Sequence, residues 1–456
     1  MNNTVTAQSR GNPLWRLSKK FQYAADKLIP DSFVFCLILT FIVFILALFL
    51  TSSTPLQMVN YWYDGFWSQA TFAFQMTLMV VTCATTAKSR QVAKAMDSLA
   101  KLVRTPSAAM ILLMMFGFVS SFLNWAFCTI VTPILAMRLA KNIKGLHFPM
   151  MVAAGYTTMV LGQCLGPSAS VYALLATTGH FLEGKLGIMT QATTTYNPMN
   201  VVLWTILAVS IVILSVYTRP PKEEVVEFTN VLDEIPPEAK EPADTIADKL
   251  NGSRLCMWLI GLGGVVAIVY QFATKGFLGS LSVNFIIFLF TIANCFLYSS
   301  PRKFITAYKE NIFLTTDIMI QFPFYGGIAQ LMASSGFGAV VINGIVSIAS
   351  AESIPIWTFI SACVVNMFIP SQGGQWIVQG PLVVDATIQL GGSLPDVINA
   401  FVYGDECTNL LQPLYLIPAL AVVNMKLKEV WGYCAYICVF WFTITCFGLY
   451  FIPMFM

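Results

Sequence analysis

The residues best placed to do chemistry in this sequence are an acid pair, Asp405-Glu406, followed at once by Cys407-Thr408-Asn409. They interrupt an apolar stretch running over about 397–423. A carboxylate carried into an apolar medium needs a proton, a cation or a hydrogen-bonded partner. The pair therefore reads as a proton carrier or a cation ligand. The plainer alternative is a pair at the mouth of a helix, since Val397 lies only eight residues upstream. Asp385 and Asp317 are weaker candidates, because each can lie near a membrane interface.

A second constellation is Asn366-Met-Phe-Ile-Pro-Ser-Gln-Gly-Gly-Gln-Trp376, with polar or glycine residues filling all of 371–375. Amides and hydroxyls in such a run donate to a carboxylate or ligate a small cation, and glycine lets backbone approach closely. The candidate contacts are Asn366, Ser371, Gln372, Gly373, Gly374 and Gln375, with Thr408 and Asn409 from the acid segment. The first half of the chain carries matching polar breaks, at Asn124-Trp125-Ala126 and at Gly162-Gln163-Cys164-Leu165-Gly166-Pro167-Ser168, of which Asn124 and Ser168 are the donors. Small residues also serve close helix packing, the competing reading for these breaks.

Other chemistries lack their parts. His147 and His180 stand without a second ligand nearby, no Cys-x-x-Cys occurs, and nearly all of the eleven cysteines lie in apolar runs. No metal site, cofactor or catalytic triad is expected. A net charge of +3, dispersed along the chain, leaves no footprint for nucleic acid.

The elements that must position these residues are membrane helices. The 456 residues are 57% hydrophobic and 10% charged, with a mean hydropathy of +0.72, far from soluble composition. Apolar segments of about 20 residues must recur. The first thirty residues carry five basic groups and no small-residue cleavage site, so no removable signal peptide is expected.

Basic residues mark the cytoplasmic side of such helices. All but Lys185 and Lys275 fall in six clusters, near residues 10–27, 88–104, 138–144, 219–254, 302–309 and 426–428. If every cluster faces the cytoplasm, crossings between neighbours are even in number. Spans are then expected over Phe33–Leu50 and 72–86, joined by the aromatic loop 61–67. Only 33 residues separate Arg104 from Arg138, which suits a hairpin that dips in and returns. Spans over 149–178 and Pro198–Tyr217 complete the first half. Residues 219–254 hold nine of the 22 acids and two Pro-Pro pairs, the composition of a solvated linker.

Two spans follow, about 255–273 and 281–299. The stretch 310–425 contains no Lys or Arg; one span (313–333), a hairpin from the outer face and one span (397–423) return Lys426 to the cytoplasm. A last span covers 431–453. The expected architecture is an all-α polytopic membrane protein with about nine full spans, broken helices and two opposed re-entrant hairpins. Its parts are a cytoplasmic amphipathic N-terminus (1–31), a first repeat (32–218, hairpin about 106–137), a charged linker (219–254), a connecting span (255–279) and a second, inverted repeat (280–456, hairpin about 355–391). Gln75 pairs with Gln321, Phe118-Val-Ser120 and Asn124 with Phe359-Ile-Ser361 and Asn366, and Tyr156 with Tyr403, in the same order. That order is the mark of an inverted-topology repeat, whose substrate and ion sites form where broken elements meet near mid-membrane.

The run Asn366-Met-Phe-Ile-Pro-Ser-Gln-Gly-Gly-Gln-Trp-Ile-Val-Gln-Gly-Pro-Leu-Val-Val384 resembles the glycine-rich signature of the bacterial short-chain fatty acid transporter family. Leu28-Ile-Pro-Asp-Ser-Phe33, Asp64-Gly-Phe-Trp67, Gln321-Phe-Pro-Phe-Tyr-Gly-Gly327 and Tyr403-Gly404 leading to Asn409-x-x-Gln412-Pro413 extend the likeness over nearly the whole chain. The resemblance implies the ion-transporter superfamily fold, a homodimer in the bacterial inner membrane, elevator-type movement, and uptake of short carboxylates such as acetoacetate or butyrate. Gln372 stands where glycine is usual, and 163–165 is poorer in glycine than the family, differences that bear on tail length and substrate class.

The reading is a cation-coupled secondary transporter of small monocarboxylates, driven by H+ through Asp405 or Glu406 or by Na+ held on carbonyls and asparagines. Transport of another organic anion such as a dicarboxylate, cation/proton antiport within the same superfamily, and a channel are the alternatives; an enzyme lacks its catalytic groups.

Overall fold

The structure is a computed structural model that describes residues 11–28, 30–68, 70–167, 169–176, 180, 182–228, 244–280 and 282–455. Among the described residues it is all helix, with no strand. Helices satisfy their own backbone polar groups, which a chain this apolar requires.

The first half runs α1 (Pro13–Leu28), α2 (Ser32–Leu50), α3 (Pro55–Ser68), α4 (Ala70–Lys88), α5 (Arg90–Ala100), α6 (Pro106–Leu123), α7 (Trp125–Asn142), α8 (Phe148–Gln163), α9 (Ser170–Leu175), α10 (Glu183–Leu186) and α11 (Pro198–Tyr217). After the linker come α12 (Ile246–Asn251), α13 (Arg254–Ser280), α14 (Val283–Leu297), α15 (Pro301–Asn311), α16 (Thr316–Ser334), α17 (Phe337–Val346), α18 (Ile354–Asn366), α19 (Gln372–Leu390), α20 (Leu394–Thr408), α21 (Leu416–Val423) and α22 (Leu427–Phe451). Among the described residues, six stretches, including Phe33–Leu50, Pro198–Tyr217 and Leu427–Phe455, are long and apolar enough to cross a membrane. Phe41, Ile45 and Phe49 on α2 and Leu259, Val266 and Val269 on α13 are exposed, as lipid-facing side chains are.

The aromatic stretch 61–67, expected as an interfacial loop, is part of helix α3. It packs along α16, where Gly327 leaves room for the Trp62 ring: a Cβ there would lie 2.5 Å from the indole nitrogen. Aromatic residues fill a helix–helix seam as readily as an interface, and composition alone does not separate the two.

Two helical hairpins carry the fold's centre. α6 and α7 turn at Asn124, whose side-chain oxygen accepts from the amides of Ala126 and Phe127 and caps α7. α8 lies parallel to α6: Ser121 donates to the Met159 carbonyl, and a Cβ on Gly162 would come within 2.0 Å of the Ser121 hydroxyl. α18 and α19 turn through 367–371, and α20 lies parallel to α18 in the same way, with a Cβ on Gly404 meeting the Phe359 carbonyl at 2.4 Å. Ser121 and Gly162 in one unit thus match Ala362 and Gly404 in the other.

A second group of helices, α2–α4 with α13–α16, packs mainly within itself. It meets the hairpin units through α4 with α7, and through α16 and α2 with α17, which packs on α18 and α19. Both halves of the chain contribute to each group.

Ion pairs and hydrogen bonds tie the basic clusters to neighbouring segments. Lys19 pairs with Glu224, Arg138 with Asp97 and Arg302 with Asp248, while Gln22 donates to the Lys428 carbonyl and Arg219 to Ser107. They therefore share one face of the molecule. On that face Trp15 of α1 is fully buried, donates to Glu224 and meets the His147 ring edge-on at 5.1 Å. His147 accepts from the Val226 amide and bonds the Tyr433 hydroxyl, so α1, the start of the linker, α8 and α22 are held together. All eleven cysteines are free; nine are buried, Cys446 is partly so, and Cys256 at the start of α13 is exposed.

Candidate functional site

Each parallel helix breaks just past its hairpin's tip. α8 ends at Gln163 and the chain resumes as α9 at Ser170; α20 ends at Thr408 and resumes as α21 at Leu416. A helix end leaves four carbonyls without partners. Here side chains reach carbonyls at the helix end and in the break: Trp204 donates to the Leu161 carbonyl, Asn200 to Cys164 and Gln191 to Pro167. In the second unit Tyr156 donates to the Asn409 carbonyl and Trp431 to Leu411.

The sequence placed the second break at 404–409. The structure keeps 404–408 helical and starts the break at Asn409. The polar side chains that looked like a disruption instead project from an intact helix, because their partners lie on neighbouring elements.

Asn366 joins α18 to α20, donating to the Asp405 carbonyl (2.6 Å), the Thr408 hydroxyl (3.1 Å) and the Asn409 side chain (2.9 Å). Thr408 donates to the Cys363 carbonyl. Gln375 donates to the Ala362 carbonyl and to Gln379, fastening the two arms of the hairpin. These three side chains, with Asn124, link elements of the hairpin units and line neither of the two cavities described below; Asn366 Oδ1 and Gln375 Oε1 are buried with no partner among the described residues. A Cβ on Gly373 would meet only Ser170 at 3.5 Å, ordinary contact within the protein. Gly374 is tighter, at 3.2 Å from the Ser371 hydroxyl. Ser168 lies outside the described residues.

The remaining candidates converge. Glu406 is 4% exposed, and its two carboxylate oxygens accept from the amides of Gln372 (3.0 Å) and Asn409 (3.1 Å). Gln372 also accepts from the Val171 amide at the start of α9, so one side chain ties the second tip to both broken helices. Asp405 is fully buried, and neither of its oxygens has a hydrogen-bond partner among the described residues. No ion pair is formed by either acid among those residues. Both acids line a cavity of about 110 Å³ with Gln163, Ser170, Ser371 and Tyr415. No group of three or more His, Cys, Asp or Glu side chains able to hold a metal ion occurs among the described residues.

Sequence reasoning missed Ser170, Tyr415 and, across the tip, Tyr325. Gln163 had a signal, its place inside a polar break. Tyr325 had only its neighbourhood, Gln321-Phe-Pro-Phe-Tyr-Gly-Gly327.

Repeated apolar helices around a buried, acid-bearing polar cavity define the class: a multi-pass membrane protein built around an internal polar site. Residues 13–452 match the family model described as short chain fatty acid transporter. A candidate short-chain fatty acid transporter of Escherichia coli (strain K12) is 30% identical, over 92% of this chain and 95% of that protein. One from Haemophilus influenzae (strain ATCC 51907 / DSM 11121 / KW20 / Rd) is 31% identical, over 96% and 99%. The crystal structure of the Alcanivorax borkumensis YdaH transporter, reported to have an unusual topology, aligns over 94% of this chain and 98% of that one at 12% identity and a TM-score of 0.46. The chain belongs to the short-chain fatty acid transporter family, and it is a transporter rather than an enzyme.

Proposed function

We propose that the protein is a secondary active carrier that moves short-chain monocarboxylates, such as butyrate or acetoacetate, across the bacterial inner membrane with a coupled cation. The observation that carries this reading is the acid pair: two adjacent buried carboxylates, one held by two amides and the other with no hydrogen bond in the geometry of the described residues, beside a tip of hydroxyls and amides. Unpaired charge at such depth is costly, so Asp405 must take up a proton or a small cation when its site closes. Glu406 already has two amide donors in place.

The two hairpins open toward opposite faces in this reading, re-entering the membrane as inverted repeats. Its supports are the shared basic face at the open end of α6–α7 and the matched crossings at Gly162 and Gly404. The basic face is then cytoplasmic, as is the N-terminus. The two helix groups, each packed mainly within itself, support an elevator in which the hairpin units move against α2–α4 and α13–α16. The extensive exposed apolar face of α13 suits burial in lipid or in a homodimer. Cation/proton antiport is the second reading, favoured by the same acid pair.

The test is uptake of labelled butyrate into proteoliposomes with pH and sodium gradients imposed separately. Concentrative, saturable uptake driven by one gradient supports the carrier. Failure of every short monocarboxylate to enter, with cation exchange intact, transfers the assignment to the antiporter.

A further inference from the structure

Ser371 caps α19 and stands between two cavities of different character. On the α8/α20 side is the acid cavity. On the other, between the tip and helices α3 and α16, lies a cavity of about 200 Å³ whose walls include Phe322, Tyr325, Ile369, Gly374, Val378 and Leu414. No charged residue lines it. At about 30 Å³ for each water-sized group, it has room for about six or seven heavy atoms, the size of a four-carbon carboxylate.

Tyr325 is 2% exposed, and its hydroxyl has no hydrogen-bond partner among the described residues. A buried phenol normally finds one. It shares the cavity wall with Ser371 and with the first turn of α19, a 19-residue helix whose leading amides point out of its N-terminus. The Tyr325 and Ser371 hydroxyls and the first turn of α19 thus offer donors to a space lined otherwise mainly by aliphatic and aromatic carbon, with Ser68 and Gln330 the remaining polar side chains. An anion placed instead in the acid cavity would face Asp405 and Glu406.

We propose that the substrate and the coupling cation bind on opposite sides of Ser371: the carboxylate against the Ser371 and Tyr325 hydroxyls, its tail among Phe322, Val378 and Leu414, and the proton or cation alone in the acid cavity. The proposal rests on the carrier reading and deepens it, because it makes the α16 side of the tip the place where tail length is selected. Ala329 and Ala333, one turn apart on α16, form part of the same wall, so a larger side chain there shortens the pocket.

The experiment is proteoliposome uptake of acetate, butyrate and hexanoate by the full chain. Tyr325→Phe is expected to raise the half-saturation concentration about tenfold for all three acids. Ala329→Leu is expected to do so for butyrate and hexanoate while sparing acetate. Val378→Ala, which enlarges the pocket and carries little folding risk, is expected to shift preference toward hexanoate by about tenfold. If the wild type transports short acids and Tyr325→Phe and Val378→Ala both match it across the series, the pocket assignment is overturned while the carrier reading stands. If Asp405→Asn changes the tail-length profile, the division between the cavities is overturned. Absence of uptake in the wild type defeats the carrier reading itself.

Discussion

At the level of single residues, the deciding contrast lies between Glu406 and Asp405. Adjacent on one helix, they differ in hydrogen bonding among the described residues: two amide donors for one, none within bonding geometry for the other. Removing the charge of Asp405 therefore should free the carrier from its driving ion without emptying the substrate pocket. Asp405→Asn is expected to retain exchange of labelled for unlabelled butyrate and to lose gradient-driven accumulation, read by comparing the two assays. Gln372→Ala should be more damaging than its distance from the substrate suggests, since it unties Glu406 and the α9 amide together. The paired glycines make a sharper structural test. Gly162→Ala meets a side chain and Gly404→Ala meets a backbone carbonyl; each overpacking costs about 1–3 kcal/mol or more. Ser121→Gly should recover the thermal stability of Gly162→Ala in detergent, and no side-chain change should recover Gly404→Ala.

The element level is where the sequence was most and least informative. The hairpin at Asn124 was legible because 33 residues between basic clusters fit neither one span nor two. The second tip was legible because polar residues fill 371–375 without a gap. The partners of individual polar residues were not: Asn366, Gln375 and Thr408 donate within the hairpin units, and nothing in residue type says which neighbour a polar side chain will meet. Helix α3 was hidden for a related reason, since its aromatic face meets α16 rather than water. One surface element also carries a pH dependence. Burial, with Lys19 nearby, holds the His147 imidazole at about 4, down from the ordinary 6.5. Its neutral ring accepts from Val226, so protonation breaks that bond. The contribution of this latch is whole above pH 6.5 and is lost as pH falls toward 4, by about 3 kcal/mol at most. Exchange of the Val226 amide, corrected for intrinsic rate, should quicken over that window, and His147→Gln should remove the trend.

For the whole molecule, the helix packing separates a hairpin-bearing body from the α2–α4 and α13–α16 group, and each draws on both halves of the chain. Neither half can complete the acid cavity alone: Gln163 and Ser170 come from one, Ser371, Asp405 and Glu406 from the other. Cysteines introduced at 127–133 or 373–376 should react with impermeant reagents from one face only in a given state, and from the two faces respectively. Straight-through reactivity would undo the mirrored arrangement and the alternating movement with it. The distribution of native thiols makes a movement of this kind observable. Because Cys256 alone is exposed, and sits on α13 in the group taken as stationary, the unmodified polypeptide accepts a fluorophore at a single fixed landmark. A second dye on the hairpin body would then report its displacement as a change in energy transfer, molecule by molecule, without first stripping the protein of its sulfur.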